Sequence, residues 1–284
     1  MFARQLIYAL ESFGIHIFPN SRTCFHFDDK LAQKYLLEAV NAPLADTWIF
    51  YSIESANAWI STTAFPKVFK LRTGAGSSNV RLVHTPDEAY RLVNVAFSYG
   101  FNPVKGYFSD FSTRIRKTHS LNAFFTKLLR APSVVKDLIN KRNIYPPERG
   151  YIYFQEFLPG NLYDTRVTVI GNRAFAFIRY NRPGDFRASG SGLIDHRPES
   201  IDIRIISEAF RIADSIGSQS LAMDFVYDTE QNPRLLEISY AYVPDAVYDC
   251  PGHWDSALNW HQGHVWPQDA ILNDIIHKIY RADL

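Results

Sequence analysis

LAMDFVYDTEQNPRLLEISY (221–240) carries two acids, Asp224 and Glu237, thirteen positions apart within apolar, alternating runs. Alternation on either side of the turn-like TEQNP (229–233) predicts two adjacent antiparallel β-strands. Strands set this way put both carboxylates on one face of a sheet. Two acids inside otherwise apolar strands are costly without a cation. Hard oxygen ligands so placed suit Mg²⁺, which takes one or two carboxylates plus substrate phosphates. The competing reading is a buried structural acid pair.

Upstream, FPKVFKLRTGAGSSNV (65–80) sets Lys70 on a strand, followed by the Gly/Ser-rich turn TGAGSSN (73–79) and a short returning strand. Lysine supplies a point charge for phosphate, and backbone N–H groups around Gly74, Gly76, Ser77 and Ser78 can approach phosphate oxygens closely. No GK[ST] follows, so this is not a Walker A loop. Lys67 alternates with Phe69 and is expected to face away from Lys70. An ordinary glycine hairpin is the plainer alternative.

The 284 residues suffice for one large domain or two lobes with a sizeable core, and 15% aromatic content favours aromatic-lined pockets. A net charge of +1 argues against a polyanion binder, so no nucleic-acid partner is expected. The charge is uneven: residues 105–150 hold ten Lys/Arg against three Asp/Glu. Such a lobe could face phosphates or simply be a solvated surface. Cys24 and Cys250 are far apart and form neither a metal spacing nor a disulfide framework, so a cytoplasmic setting is expected. No apolar run approaches the ~20 residues of a membrane span. MFARQLIYALESFG (1–14) lacks the apolar core of a signal peptide. It reads as an amphipathic helix with Leu6, Ile7, Leu10 and Phe13 on one face and Gly14 at its end.

Along the chain, Asp28–Asp29 can cap a helix running to about Val40. Thr85–Glu88 is a capping box with Pro86 at the first helical position, and its helix buries Ala89, Leu92, Val93, Ala96 and Phe97 before Gly100. SLNAFFTKLLRAP (120–132) and SVVKDLINKR (133–142) read as two short helices of an insertion. From 151 onward come the strands YIYFQEF, TRVTVIG and RAFAFIRY, a glycine-rich loop (181–192), and a helix near 201–216 with Ile205, Ala209, Ile212 and Ile216 on one face.

This order of parts, from about Asp28 to Tyr240, resembles the ATP-grasp superfamily. It looks closest to the branch with the ribosomal-protein glutamate ligase, glutathione synthetases and D-alanine–D-alanine ligase. The resemblance implies an α+β fold in which two α+β lobes hold ATP. It implies residues 28–150 as the first lobe, with the glycine flap and basic insertion, and 151–284 as the second, with the metal site. Family members usually carry a complete α/β domain before this point. Here 27 residues precede Asp28, so 1–27 reads as the remnant of such a domain.

Carried over residue by residue, DDK (28–30) is similar to the motif whose lysine reaches the phosphates, which is Lys30. Lys70 and the loop with Gly74, Gly76, Ser77 and Ser78 match the phosphate flap. YFQEFLPG (153–160) resembles the strand that receives adenine, through Gln155, Glu156, Phe157 and Leu158; backbone groups of a pair such as Glu156–Leu158 bond the base. Asp164, or alternatively Asn161, is expected to serve the ribose. DTRVTVIG (164–171) is similar to a D-x-R strand with Arg166 near the phosphates or the acyl group. FRASGSG (186–192) resembles a loop whose arginine, Arg187, neutralises the transferring phosphoryl group, with Arg179 and Arg182 flanking it to hold a substrate carboxylate. For Asp164 and Arg166 a cross-strand salt bridge is an equal alternative. Asp224 and Glu237 match the metal strands, and Ser239 stands where the family usually has asparagine, a poorer Mg²⁺ ligand.

The C-terminal YAYVPDAVYDCPGHWDSALNWHQGHVWP (240–267) gathers Cys250, His253, His261 and His264 among tryptophans. It lacks the second close cysteine of a zinc site and reads better as an aromatic cap or acceptor surface. The expectation is an ATP- and Mg²⁺-dependent ligase joining a small-molecule carboxylate to an amine or thiol, the acceptor sugar- or peptide-like, with room for a homodimer. The rivals are an ATP-grasp kinase acting on a hydroxyl, and a non-catalytic nucleotide-binding protein.

Overall fold

The computed structural model describes residues 2–74, 79–102 and 146–282. These form two compact units, one of Met1–Ala45 with Leu158–Leu284 and the other of Asp46–Phe157. The divisions therefore fall at 45/46 and 157/158, whereas the sequence suggested 27/28 and 150/151. Two features account for the difference: residues 1–45 fold with the C-terminal strands, and the strand after 151 belongs with the middle of the chain. The two helices read at 120–142, and Gly76, Ser77 and Ser78, lie outside the described residues.

The middle unit contains β1 (Thr47–Phe50), α4 (Ile53–Ile60), β2 (Lys67–Lys70), β3 (Val80–Val83), α5 (Pro86–Ala96) and β4 (Ile152–Glu156). Its four strands are antiparallel in the order β1-β4-β2-β3. Neither β1 nor α4 was apparent from sequence, because TWIF is too short to show a period. One sheet face, with Phe69, Ile152 and Phe154, packs on Ala56 and Ile60 of α4 and Ala89, Val93 and Ala96 of α5. Trp59 stacks on Phe154 with centroids 5.2 Å apart. The Thr85 side chain caps α5 by accepting from Glu88 N–H, and Glu88 in return accepts from His84 N–H. Gly100 is required after α5: its φ is +79°, and an added Cβ would come within 2.7 Å of the Glu148 carbonyl oxygen.

The other unit opens with α1 (Phe2–Ser12), α2 (Ser21–Cys24) and α3 (Lys30–Ala39). On α1 only Ile7 and Leu10 of the expected apolar face are half-buried; Leu6 is exposed, and Phe13, beyond the helix end, is 82% exposed. The remaining strands are β5 (Tyr163–Ile170), β6 (Arg173–Tyr180), β7 (Ile194–Asp195), β8 (Ser220–Tyr227), β9 (Pro233–Ser239), β10 (Gly252–Trp254) and β11 (Trp260–Gln262). The remaining helices are α6 (Ile203–Ile216), α7 (Pro244–Tyr248) and α8 (Pro267–Ala282). The sheet runs β11-β10-β6-β5-β8-β9, with β7 paired to β6.

Alternation along these strands gives the sheet two unlike faces. One carries Val167, Val169, Ala174, Ala176, Leu221, Met223 and Phe225 and is covered by α6 through Ile205, Ile206, Ala209, Ile212 and Ile216, with Leu37 of α3 joining that core. Asp202 caps α6 by accepting from Arg204 N–H, and Gly217 ends it in the left-handed region. The opposite face is divided. At one end Ile170, Phe175 and Phe177 pack under Val247, Cys250 and Ala270. At the other end lie the ionisable residues of the candidate site.

The outer edge of β9 is not left open. Ile238 N–H donates to Gln33 Oε1, Leu235 N–H to Pro43 O, and Leu235 O accepts from Ala45 N–H. This backbone pairing is why residues 1–45 belong to the unit.

Ile212 is fully buried between α6 and the sheet. Ile212→Ala is expected to lower unfolding stability by about 2–5 kcal/mol in urea titrations.

Candidate active site

The ionisable half of the sheet face is set by strand register. Asp164 on β5 pairs with Arg179 on β6, Arg166 with Asp224 on β8, and Asp224 in turn with Glu237 on β9. The two acids read from the sequence thus lie directly opposite each other on adjacent antiparallel strands. A bulge makes this compatible with the core. The register passes from Asp224↔Glu237 to Phe225↔Leu235, so Leu236 is the extra residue. Strict alternation would have put Leu235 and Glu237 on one face; the bulge sends Leu235 to the α6 core and Glu237 to the polar side.

Arg166 donates from Nε and Nη2 to the two oxygens of Asp224, both at 2.7 Å. Arg179 does the same to Asp164, again at 2.7 Å, and its Nη2 also reaches Asp224 Oδ2 at 2.8 Å. Asp164, Arg179 and Asp224 are buried. Bidentate, charge-assisted contacts of this kind are what make two buried carboxylates tolerable. Burial penalises the ionised Asp224, yet Arg166 and Arg179 outweigh it and hold the carboxyl below the usual range. Burial, reinforced by the neighbouring Asp224 charge and opposed by Arg179, pushes Asp164 up to about 6. Burial also opposes charge on Arg179, but Asp224 and Asp164 more than compensate and keep it protonated.

Lys30 is the first residue of α3, just after the Asp29 cap, and is itself buried. Its Nζ lies 3.8 Å from Glu237 Oε2, and the Glu237 side chain is 37% exposed. That contact is a loose ion pair. Ser239, on the same strand as Glu237, closes a local turn, donating to Ala241 O and accepting from Ala241 N–H.

Several of the candidate residues have partners of their own within the chain. Both oxygens of Asp164 accept from Arg179, which is the cross-strand salt bridge that stood as the alternative to a ribose contact. Asn161, the alternative, is tied to the Tyr227 backbone, accepting from its N–H and donating to its carbonyl. Arg179 points along the sheet to two acids, because β6 continues through Tyr180 before the loop that carries Arg182 and Arg187 begins. Arg187 contacts Asp185 within the loop at 2.6 Å, and Arg182 donates to the Ser189 carbonyl. The 156–158 backbone is also engaged: Glu156 N–H donates to Asp46 O, and Leu158 O accepts from Asn161.

In the middle unit, Lys70, Tyr153 and Gln155 are buried on the sheet face opposite the core, with Val68 among them. Lys67 lies on the other side, its Nζ 4.6 Å from the centre of the Trp48 ring, as alternation anticipated. Sequence reasoning missed Glu148. Its buried carboxylate accepts from the N–H groups of Arg72 (2.9 Å) and Thr73 (3.2 Å), from the Thr73 hydroxyl and from the Tyr151 hydroxyl. Asn79 Nδ2 donates to Thr73 O and Asn79 O accepts from Leu71 N–H, so the stem that leads to Gly74 is tied on both sides. No local pattern in YPPERG could have announced a partner 75 residues earlier in the chain.

Comparison with known proteins places this geometry. No family model matches the sequence, and no curated protein matches it either. Solved structures do. A complex of the ATP-grasp ligase PsnB with a minimal precursor superposes with a TM-score of 0.54 at 14% identity, over 96% of this chain and 68% of that one. The ADP complex of the N5-carboxyaminoimidazole ribonucleotide synthetase PurK gives 0.55 at 13% identity, over 88% and 54%. A biotin carboxylase–ATP complex from Campylobacter jejuni gives 0.57 at 13%, over 94% and 50%. The chain spans about half to two thirds of the length of these structures. It has the ATP-grasp fold. Among the described residues no helix is long and apolar enough to cross a membrane.

The Asp164–Arg179 pair is expected to be strongly coupled. Asp164→Ala, which leaves Arg179 with one carboxylate instead of two, should cost about 3 kcal/mol in equilibrium unfolding. In a cycle with Arg179→Gln the two effects should fall short of additivity by about 1 kcal/mol or more. Additive losses would show that the pair acts as two independent residues.

Proposed function

We propose that the protein is an ATP- and Mg²⁺-dependent ligase that activates a carboxylate as an acyl phosphate and passes it to an amine or thiol. The observation that carries this reading is the row Arg166–Asp224–Glu237 with Arg179 and Lys30 beside it: two facing carboxylates, two arginines and a lysine gathered at one sheet face. The fold agrees with it, as ATP-grasp proteins include the ligase PsnB and the synthetase PurK.

The donor set fits Mg²⁺. Asp224 and Glu237 offer hard oxygens from adjacent strands, and among the described residues no third His, Cys, Asp or Glu joins them. A cation that draws its remaining oxygens from phosphates and water needs no more. Bound there, Mg²⁺ would neutralise phosphate charge during transfer. The chain's own residues do the rest. Lys30 places a positive charge beside Glu237 for the nucleotide phosphates, and Lys70 is a second phosphate ligand. Backbone groups near Phe157 serve adenine. Arg187, on the glycine-flanked loop, neutralises the transferring phosphoryl group and the acyl phosphate. Phosphoryl transfer asks for this positioning and charge neutralisation more than for covalent help. Asp164 and Arg179 act as supports that fix Asp224. The acceptor is peptide-like or sugar-like, in keeping with the exposed Trp260 and Trp266 of the C-terminal cap.

ATP or ADP with Mg²⁺ is expected to stabilise the protein thermally, by about 2.7 kcal/mol at a hundredfold excess over Kd. Absence of any shift at millimolar nucleotide would remove the nucleotide-dependent reading. Glu237→Gln should keep the fold and abolish turnover.

With both a carboxylate and an amine present, ADP and inorganic phosphate should appear in equal amounts, and hydroxylamine should trap the intermediate as a hydroxamate. Phosphate ending on a stable hydroxyl would make the protein a kinase. AMP and pyrophosphate would rule out the acyl phosphate.

A further inference from the structure

Asp224 is more fully neutralised than its neighbour Glu237. Guanidinium groups make three contacts to its two oxygens, whereas among the described residues Glu237 has the 3.8 Å approach of Lys30. A carboxylate offers about four lone-pair directions, so these contacts take most of what Asp224 can give.

The two arginines responsible are not equally fixed. Arg179 is buried and held by a second bidentate contact to Asp164. Among the described residues Arg166 makes its side-chain hydrogen bonds to Asp224, and it acts on Asp164 through charge alone. Its side chain is 19% exposed. A long side chain anchored at a single carboxylate can be released by rotation about its own bonds, with Asp224 still held by Arg179.

We infer that Arg166 occupies the cation's place on Asp224 while the protein is free of nucleotide, and that it transfers its guanidinium to phosphate oxygens when a metal–nucleotide complex binds. This rests on the reading of Asp224 and Glu237 as the cation-binding pair. The exchange follows from charge and geometry. A divalent cation on Asp224 would sit within a few ångströms of the guanidinium and repel it. A phosphate offers the same planar fork an equally good bidentate partner. A tethered guanidinium also competes at high effective concentration, so a free divalent cation is excluded until nucleotide draws Arg166 away. Arg166 is in this sense a positioning residue that makes metal binding conditional on nucleotide.

Mn²⁺, followed by electron paramagnetic resonance as a stand-in for Mg²⁺, tests the exchange without any turnover. Wild-type protein should bind Mn²⁺ weakly alone and at least about tenfold more tightly with ADP present. Arg166→Gln keeps a polar, hydrogen-bonding side chain of shorter reach and removes its charge. This variant should bind Mn²⁺ alone at least about tenfold more tightly than wild type, and the further gain from ADP should be smaller than in wild type. Asp224→Asn should abolish the gain. A purely structural role for Arg166 gives the opposite sign, since a disordered site binds metal less well. Equal Mn²⁺ affinity in wild type and Arg166→Gln, including no binding to either, overturns the inference, as does weaker binding by the variant. If Arg166→Gln does not fold, Arg166→Lys carries the test: it cannot span both oxygens, so a smaller gain in the same direction is expected and its absence is decisive. Failure of the ATP-dependent reading appears elsewhere, as wild-type protein whose thermal stability does not respond to Mg²⁺ with ATP or ADP.

Discussion

The four-residue ion network Asp164–Arg179–Asp224–Arg166 is the constraint on which the polar side of the larger sheet depends. Two carboxylates buried on the face of a sheet would be intolerable alone. Two guanidinium groups, Arg166 on β5 and Arg179 on the neighbouring β6, make them tolerable, through contacts of 2.7 and 2.8 Å that match planar fork to planar carboxylate. Removing Arg179 or either acid leaves an uncompensated charge in a dry place, so those three buried residues depend on one another. The network also divides labour. Arg179 and Asp164 are fully committed to structure, which leaves Arg166 and Glu237 at the edge, partly exposed, as the groups with chemistry left to offer.

That division is possible because the sheet has two unlike faces and one local irregularity. The α6 face is filled by branched aliphatic side chains from alternate positions of β5, β6 and β8. The opposite face is apolar only where the C-terminal segment covers it. At β9 a single inserted residue, Leu236, changes the phase of the strand between Leu235 and Glu237. The core keeps its leucine and the site keeps its glutamate. An edge strand with such a bulge would be a weak point, but Gln33 and the 43–45 segment occupy its free backbone groups.

The middle unit solves a similar problem with one carboxylate. Glu148 arrives from the far side of the segment outside the described residues and collects donors from Arg72, Thr73 and Tyr151. The strand β2 and the turn leading to Gly74 are held by an acceptor remote in sequence, so the position of that stem depends on β4 being in place. Burial and the hydrogen bond to Glu148 both raise the Tyr151 hydroxyl well above its ordinary value, which keeps it a donor.

Periodicity and turn chemistry were enough to specify α3, α5, α6 and the strand pair β8–β9, because each has a cap, a stop or an alternation that a single pass along the chain can read. They also placed Asp224 and Glu237 on one face of adjacent strands, and Lys67 away from Lys70. What the sequence by itself could not determine was which charges would pair. Arg179 stands close to Arg182 and Arg187 along the chain, yet the register of β5 with β6 gives it to Asp164. Asp164 looked available to a ribose until a strand fifteen residues on supplied its arginine. The bulge at Leu236, the Glu148 anchor and the joining of residues 1–45 to the C-terminal strands share one cause. Each is a contact between residues distant in the chain, decided by strand register and burial, and so only the tertiary structure could select it.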